Sequence, residues 1–375
     1  MVASISEKDA LLAKSRLQKG KEKYVLVIHG GAGTMDKSKS TPDQRARYKA
    51  ALSAALEAGY EVLKDGGEAM DAVVAAVSSM EDCPLFNAGR GAVFNTAGKN
   101  ELETSLMLSK PPSTHPEIPT TRRGFGLTLL TRARNPSKLV RSIYLAPEKA
   151  PHTFMSGANA EDIGESLGET LVNPEYFFTE PRWREHRRGL GLPEEPLPYP
   201  GHHDESKEVP LDQLPTGTIG AVALDMRGCI AACTSTGGKT NKLVGRIGDT
   251  PHMGAGFWAE EWKTAGWVRK TWDKVRGKGS LKGVGISGTG DGDYFIRLAT
   301  ASTIARRMKF LNEPLAKASK IAVEDLFQDG GLGGVICLDR QGNVAMPLNC
   351  SGMYRGVVRE DGITKTAIFN DEELS

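Results

Sequence analysis

The sequence predicts an α+β layered sandwich built as a single domain over all 375 residues. Three observations predict it. Short β runs and amphipathic helices occur in both halves of the chain, the helices come in sequential pairs, and the one long stretch without an apolar period, 173–215, joins the halves instead of closing either.

The first element is a buried strand, Tyr24 to Ile28, running into His29-Gly30-Gly31-Ala32-Gly33, a strand-to-glycine-loop arrangement typical of sites. Thr41-Pro42-Asp43-Gln44 then has a capping residue, Pro at the first helical position and Gln at the third. Tyr48, Leu52, Ala55, Leu56, Val62 and Leu63 follow at helical spacing until Gly66-Gly67. A second helix from about Glu68, apolar on several sides through Val73, Val74, Val77 and Met80, is expected between layers. Strand-like runs follow at Ala92 to Phe94, Leu102 to Met107 and Gly126 to Leu130, then helical material from Pro136 to about Leu171. From Asn173 to Pro215 the composition reads as a mobile linker. Beyond it, Gly220 to Asp225 and Cys229 to Ser235 form a hairpin about Met226-Arg227-Gly228. Another strand is expected at Gly283 to Ser287, then a glycine loop, a long helix from about Asp293 to Leu311, a helix from about Leu315 to Phe327, and a hairpin of Gly333 to Leu338 with Val344 to Leu348.

A formal net charge of +2, from 48 basic and 46 acidic residues, offers no global field for nucleic acid or anionic lipid. The basic stretch Arg182 to Arg188 reads as a solvated face before a nucleic-acid patch. The five cysteines (Cys83, Cys229, Cys233, Cys337, Cys350) lack paired spacing and read as reduced core thiols. Met1 to Tyr24 has no apolar signal core, and no stretch approaches the ~18 apolar residues of a membrane helix, so a cytoplasmic protein is expected. His202-His203-Asp204 has no further ligand cluster at a metal spacing, so no metal site is assigned to it. Glycine is in excess, 43 residues, and needs a local explanation.

The hairpin after the linker carries the sharpest geometry. A turn centred on Arg227 sets Thr218 opposite Thr236, with both side chains on one face. Threonine pairs are common in sheets, and that reading stands beside a catalytic one. Thr218 directly follows Gly217 at the end of the linker, where a chain is easily cut. No histidine lies close in sequence, but a free α-amino group of pKa about 8 can act as base for its own hydroxyl. That chemistry requires cleavage between Gly217 and Thr218.

Six segments together resemble one family: His29 to Gly33, Phe86-Asn87-Ala88-Gly89-Arg90-Gly91, Gly217 to Asp225, Thr234 to Gly238, Gly245-Arg246-Ile247-Gly248-Asp249-Thr250-Pro251 and Gly288-Thr289-Gly290-Asp291-Gly292-Asp293. In order, from about Val25 to about Gly356, the chain is similar to the plant-type asparaginase and isoaspartyl peptidase family of N-terminal nucleophile hydrolases. The resemblance implies a four-layer αββα sandwich, autoproteolysis into an α chain (1–217) and a β chain (218–375), and a homodimer of such pairs. By position it implies Thr218 as nucleophile, Thr236 as its hydrogen-bonding partner, and Thr289 with Gly290 as the oxyanion hole. Arg246, Asp249 and Gly292 are then the groups that hold the substrate's α-carboxylate and α-ammonium, with Asn87 also in the substrate pocket.

Arg246 offers a planar fork for a carboxylate, and Asp249 a counter-charge for an ammonium. Read without the family, the two are a structural ion pair, and Gly288 to Asp293 a nucleotide loop lacking its fuller fingerprint. The implied reaction hydrolyses the side-chain amide of L-asparagine or of β-aspartyl dipeptides, with a glycosylasparaginase as the alternative and a non-catalytic binding protein as the rival of another class. No organic cofactor is implied. A structural Na⁺ held by backbone carbonyls of the loop from about Met80 to Asn87 is. Where relatives usually read Met-Asp-Ala-Ser-Ile-Met, this chain has Leu102-Glu103-Thr104-Ser105-Leu106-Met107, with an acidic residue one methylene longer near the site.

Overall fold

A computed structural model describes residues 23–199, 217–263 and 281–375. The expectations for residues 1–22, for 200–215 of the linker and for His202 to Asp204 lie outside these residues.

Strand β1 (Val25–Gly33) continues unbroken through the glycine loop. Helix α1 (Pro42–Lys64) begins as its sequence requires, with the Thr41 hydroxyl accepting from the Gln44 amide at 3.1 Å. Helix α2 (Ala69–Glu81) is buried on nearly all sides. After it come β2 (Leu102–Leu108), β3 (Gly124–Leu130), α3 (Pro136–Tyr144), the short β4 (Phe154–Ser156), α4 (Gly157–Ser166) and α5 (Glu180–Gly189). The second half holds β5 (Ile219–Leu224), β6 (Ile230–Thr236), β7 (Phe257–Lys263), β8 (Leu281–Gly290), α6 (Gly292–Leu298), α7 (Thr300–Arg306), α8 (Leu315–Gln328), β9 (Gly333–Asp339), β10 (Val344–Ala345), β11 (Gly352–Arg359) and β12 (Lys365–Phe369).

The strands form two sheets, ordered β12-β11-β1-β5-β6-β2-β3-β4 and β10-β9-β8-β7. Side-chain parity shows how they stack. Leu26 and Ile28 of β1, Ala221 and Ala223 of β5, and Leu106 and Leu108 of β2 join one apolar cluster with α1, α2 and α3. Their neighbours Val25, Val27, Val222, Leu224 and Met107 join a second cluster with Phe257, Ala259, Ile336 and Leu338 of the smaller sheet. The other face of that sheet, Val284, Ile286, Val335 and Cys337, packs under α7 and α8. Each sheet thus turns one face to helices and the other to its partner sheet. The contact between sheets depends on small residues: a Cβ at Gly285 would lie 2.5 Å from both Ile230 and Val222.

Several expectations are corrected. The residues Ala92 to Phe94 are not a strand, because Asn side chains capture their backbone: Asn100 donates to the Ala92 and Val93 carbonyls and Asn87 accepts from the Val93 amide. The helical run from Pro136 breaks after Tyr144, where the Arg122 guanidinium takes the carbonyls of Ile143, Tyr144 and Ala150. The long helix to Leu311 is interrupted at Ala299, in the left-handed region at φ 48°, and ends in a π-helical turn, Arg307–Leu311. The predicted linker is structured from Asn173 to Gly189, because α5 buries Arg182 and His186 and sets Trp183 edge-on to Phe94. Strands β4, β7, β11 and β12 have no counterpart among the sequence-predicted elements, β4 falling inside the run read as helical. All five cysteines are free thiols. Among the described residues no helix is long and apolar enough to cross a membrane, and no cluster of His, Cys, Asp and Glu is placed to hold a metal ion.

Candidate active site

The hairpin pairs Ile219 with Ser235 and Gly220 with Thr234. One step further sets Thr218 opposite Thr236, the expected register. By parity both lie on the face turned to the second sheet, as does His29 on β1, while Ser287 and Thr289 on β8 of the second sheet face back toward them. Residues remote in sequence therefore meet in the gap between the sheets.

Thr289, fully buried, accepts two backbone N–H groups on its hydroxyl: Thr218 N at 3.1 Å and Ala32 N at 3.0 Å. Its own O–H remains to be donated, and two accepted bonds polarise it for that. The peptide before Thr218 is pressed against β1 where that strand bulges between His29 and Gly31. A Cβ on Gly217 would lie 2.1 Å from the Gly31 Cα, and Gly31 itself sits at φ 122°, so neither position admits a side chain.

His29 holds the other side of Thr218. Its Nδ1–H donates to the Thr218 carbonyl at 2.8 Å, since that oxygen can only accept. Burial pushes the imidazole pKa down to about 3, so the ring is neutral and Nε2 accepts from the Ser287 hydroxyl at 2.7 Å. Ser287 in turn accepts from Thr234 at 2.7 Å. The signal for His29 was visible as the first residue of the glycine loop, although its sequence could assign it no role.

Around the far end of β6, the Thr236 hydroxyl accepts from the Gly238 amide at 3.0 Å. Asn87 braces the same turn, donating to the Gly238 carbonyl at 2.7 Å while its oxygen accepts from Val93. The structure thus uses the Asn87 carboxamide to fix backbone beside the pocket. Gly290, at φ 142°, lies against Leu332 so closely that only its backbone faces the site.

The loop after β6 returns with the charged groups. Arg246 donates to Asp293 at 2.9 Å, and Gly292 has both the Asp249 carboxylate and the Arg246 guanidinium beside it, each within 3.2 Å of where its Cβ would be. The three residues expected in one pocket are together there. Burial foremost, and then the neighbouring Glu103 carboxylate, push the Asp249 pKa up to about 7, against the pull of Arg246. Lys242 is also present, a residue the sequence did not mark. It is buried, donates to the Glu101 carbonyl at 2.6 Å, and its pKa is lowered by burial. Its signal was weak: one lysine among several polar residues of a loop.

This set, a threonine after a glycine, hydroxyl and backbone donors beside it, and an Arg and Asp to grip a zwitterion, can carry amide hydrolysis. Comparison with known proteins agrees. The family model described as Asparaginase matches residues 22–266 and 280–368. This chain belongs to the asparaginase family. Among family relatives it is similar to the isoaspartyl peptidase of Escherichia coli, 37% identical over 355 residues, covering 91% of this chain and 98% of the relative. The isoaspartyl peptidase/L-asparaginase of Xenopus laevis is 30% identical over 342 residues, covering 90% and 93%. That of Mus musculus is 32% identical over 320 residues, covering 85% and 83%.

Proposed function

We propose that this asparaginase-family chain hydrolyses the side-chain amide of L-asparagine and of β-aspartyl dipeptides, releasing L-aspartate, after cutting itself between Gly217 and Thr218. The observation that carries the reading is Thr218 itself. It directly precedes the central strand β5, its N is 3.1 Å from the Thr289 hydroxyl, and the only residue that fits before it is glycine.

In the cutting step the Thr218 hydroxyl attacks the Gly217 carbonyl, the peptide nitrogen leaves as an amine, and water hydrolyses the resulting ester. The freed amine then serves as base for the hydroxyl of its own residue in substrate turnover. Attack on the substrate amide forms an oxyanion that the Thr289 O–H and the Gly290 backbone stabilise. Collapse expels ammonia or an amino acid, and water releases aspartate from the acyl-threonine. Thr236, across the hairpin, orients the nucleophile. Arg246 binds the α-carboxylate, and Asp249 with Gly292 the α-ammonium. The helices and sheets are read as the αββα sandwich of an N-terminal nucleophile hydrolase, and two cut pairs as a homodimer. A structural Na⁺ in the loop before Asn87 belongs to the same reading, supported by backbone carbonyls gathered there, those of Pro84 and Phe86 both lying close beside Gly91. Those carbonyls would hold the ion, which would stiffen the loop and take no part in the chemistry. Free thiols throughout are in keeping with a reducing compartment such as the cytoplasm.

Hydrolysis of L-asparagine, β-aspartyl-leucine and a glycosylated asparagine, measured side by side, tests the substrate class; hydrolysis of the glycosylated compound alone would overturn it. Arg246→Ala is expected to lower kcat/KM for both proposed substrates about 10²-fold, chiefly through KM, as befits loss of a charge-assisted carboxylate contact. Self-cutting should persist, and unchanged asparagine kinetics would move the pocket elsewhere.

The raised pKa of Asp249 has a sign that can be checked. Folding tightens its hold on a proton between about pH 4 and pH 7, so the stability this group contributes declines as pH rises through about 7. A bound ammonium needs the ionised form. L-Aspartate is therefore expected to raise Tm by more at pH 8 than at pH 6; an equal or reversed increment in a thermal melt would remove Asp249 from the ammonium site.

A further inference from the structure

Glu103 has no part in the roles assigned so far, yet it lies at their centre. It sits on β2 directly across from Thr236, and by strand parity its side chain enters the gap between the sheets. It is buried, with 1% of its surface exposed. Its Oε1 accepts from the Gly248 amide at 2.8 Å and from the Thr128 hydroxyl at 3.3 Å. Its Oε2 is fully buried and makes no hydrogen bond, and Oδ2 of Asp249 is in the same condition. Both Glu103 Oε2 and Arg246 Nη1 lie within 3.0 Å of the point where a Cβ on Gly248 would be.

An unpaired buried carboxylate oxygen is costly, and two in one pocket are costlier. The cations around them do not cover both. Arg246 is paired with Asp293 at 2.9 Å and Lys239 with Asp291 at 3.0 Å, which leaves Lys242, its Nζ on the neutral Glu101 carbonyl, as one positive charge for two carboxylates. The pocket is thus short of one positive charge, at a place where a small ligand enters.

We propose that Glu103 is a positioning and specificity residue for the α-ammonium: it fixes the Arg246–Asp249 turn through Gly248 and supplies the second negative charge that makes the pocket demand a protonated α-amino group. The inference rests on the asparaginase reading and adds a substrate rule to it. N-acylated or deaminated aspartyl compounds bring no cation to the pair of carboxylates and are poorer substrates. In the free enzyme the pair retains a proton near neutrality, because burial raises Glu103 as it does Asp249, with Lys242 and Arg246 opposing. The arriving ammonium takes that proton's place.

The test compares L-asparagine with succinamate, the same molecule without its α-amino group, across pH. The variants are Glu103→Gln, which keeps an acceptor for Gly248 and removes the charge, and Glu103→Asp, which keeps the charge. Intact mass first establishes that each is cut as fully as the parent. Glu103→Gln is expected to raise KM for L-asparagine about tenfold with kcat little changed, and to leave succinamate within about twofold. It should also move the acidic limb of kcat/KM for L-asparagine about one unit lower. Glu103→Asp is expected to keep the parent's preference for asparagine and its limb. Equal losses on both substrates, unaltered asparagine kinetics in Glu103→Gln, or loss of the preference in Glu103→Asp would each overturn the proposal. Should Glu103→Gln fail to fold, the preference shown by Glu103→Asp decides alone. A parent protein inactive on asparagine and β-aspartyl peptides would instead sink the underlying reading, whatever the variants do.

Discussion

Thr218→Ala is expected to remain one full-length chain and to lose hydrolysis of L-asparagine by at least about 10⁴-fold, the scale seen when a nucleophile is removed from an otherwise intact site. The change deletes one hydroxyl at a strand end. Strand β5 begins at Ile219, and the Thr218 N–H and C=O keep their bonds to Thr289 and His29, so the fold should survive. Intact mass after prolonged incubation, with N-terminal sequencing of any smaller fragment, separates the possibilities. The parent should yield a fragment beginning at Thr218. Thr218→Ser, which retains a hydroxyl, should still be cut, more slowly. A Thr218→Ala protein that is cut at the same bond, or a permanently intact parent that hydrolyses substrate, would end the nucleophile assignment.

Thr289→Val is the second large effect. The hydroxyl accepts from Thr218 N and Ala32 N, and we assign its O–H to the oxyanion. Valine has nearly the same shape but can do neither. Loss of the oxyanion donor should lower kcat about 10² to 10³-fold. Leaving two buried N–H groups unpaired should also cost about 1–3 kcal/mol of stability each, visible as a lower denaturation midpoint. Thr289→Ser distinguishes the two consequences, because it restores the acceptor and the donor together and should recover most of both. If valine weakened the fold while leaving turnover of already cut enzyme intact, Thr289 would be a bracket for β1 and β5 and no more.

How far these residues could be read from the chain depends on whether the physics is local. The hairpin register was legible, since a glycine turn and a period of two fix which residues oppose each other, and Ile219 does face Ser235. The cap of α1 was legible for the same reason. The break at Ala299 was not. Asp293 to Leu311 carries a continuous helical pattern, and the left-handed residue occurs where Ala301 N and Ser302 N instead bond the Ala255 and Gly254 carbonyls of a distant loop. Helix α5 reads as linker in the sequence because it docks through Arg182, Trp183 and His186, residues that carry no apolar period. At the site, positions could be proposed by resemblance, but the chain from His29 through Ser287 to Thr234 spans both sheets, and no spacing announces it.

The order of the large sheet has a consequence for the life of the molecule. β1 lies between β5 and β11, and β6 lies against β2. A cut before Thr218 would therefore leave two interdigitated polypeptides, with β1 of the first enclosed by β11 and β5 of the second and the pair β5-β6 of the second enclosed by β1 and β2 of the first, each lacking neighbours it cannot supply itself. While the chain is whole, the tether keeps those strands at a high mutual concentration and closing the sheet is an internal event. Once it is cut, nothing is lost from the folded structure, but unfolding would release two partners that must find each other by diffusion. The covalent bond would then be needed to build the enzyme and not to keep it, and its lifetime would be set by how slowly it comes apart.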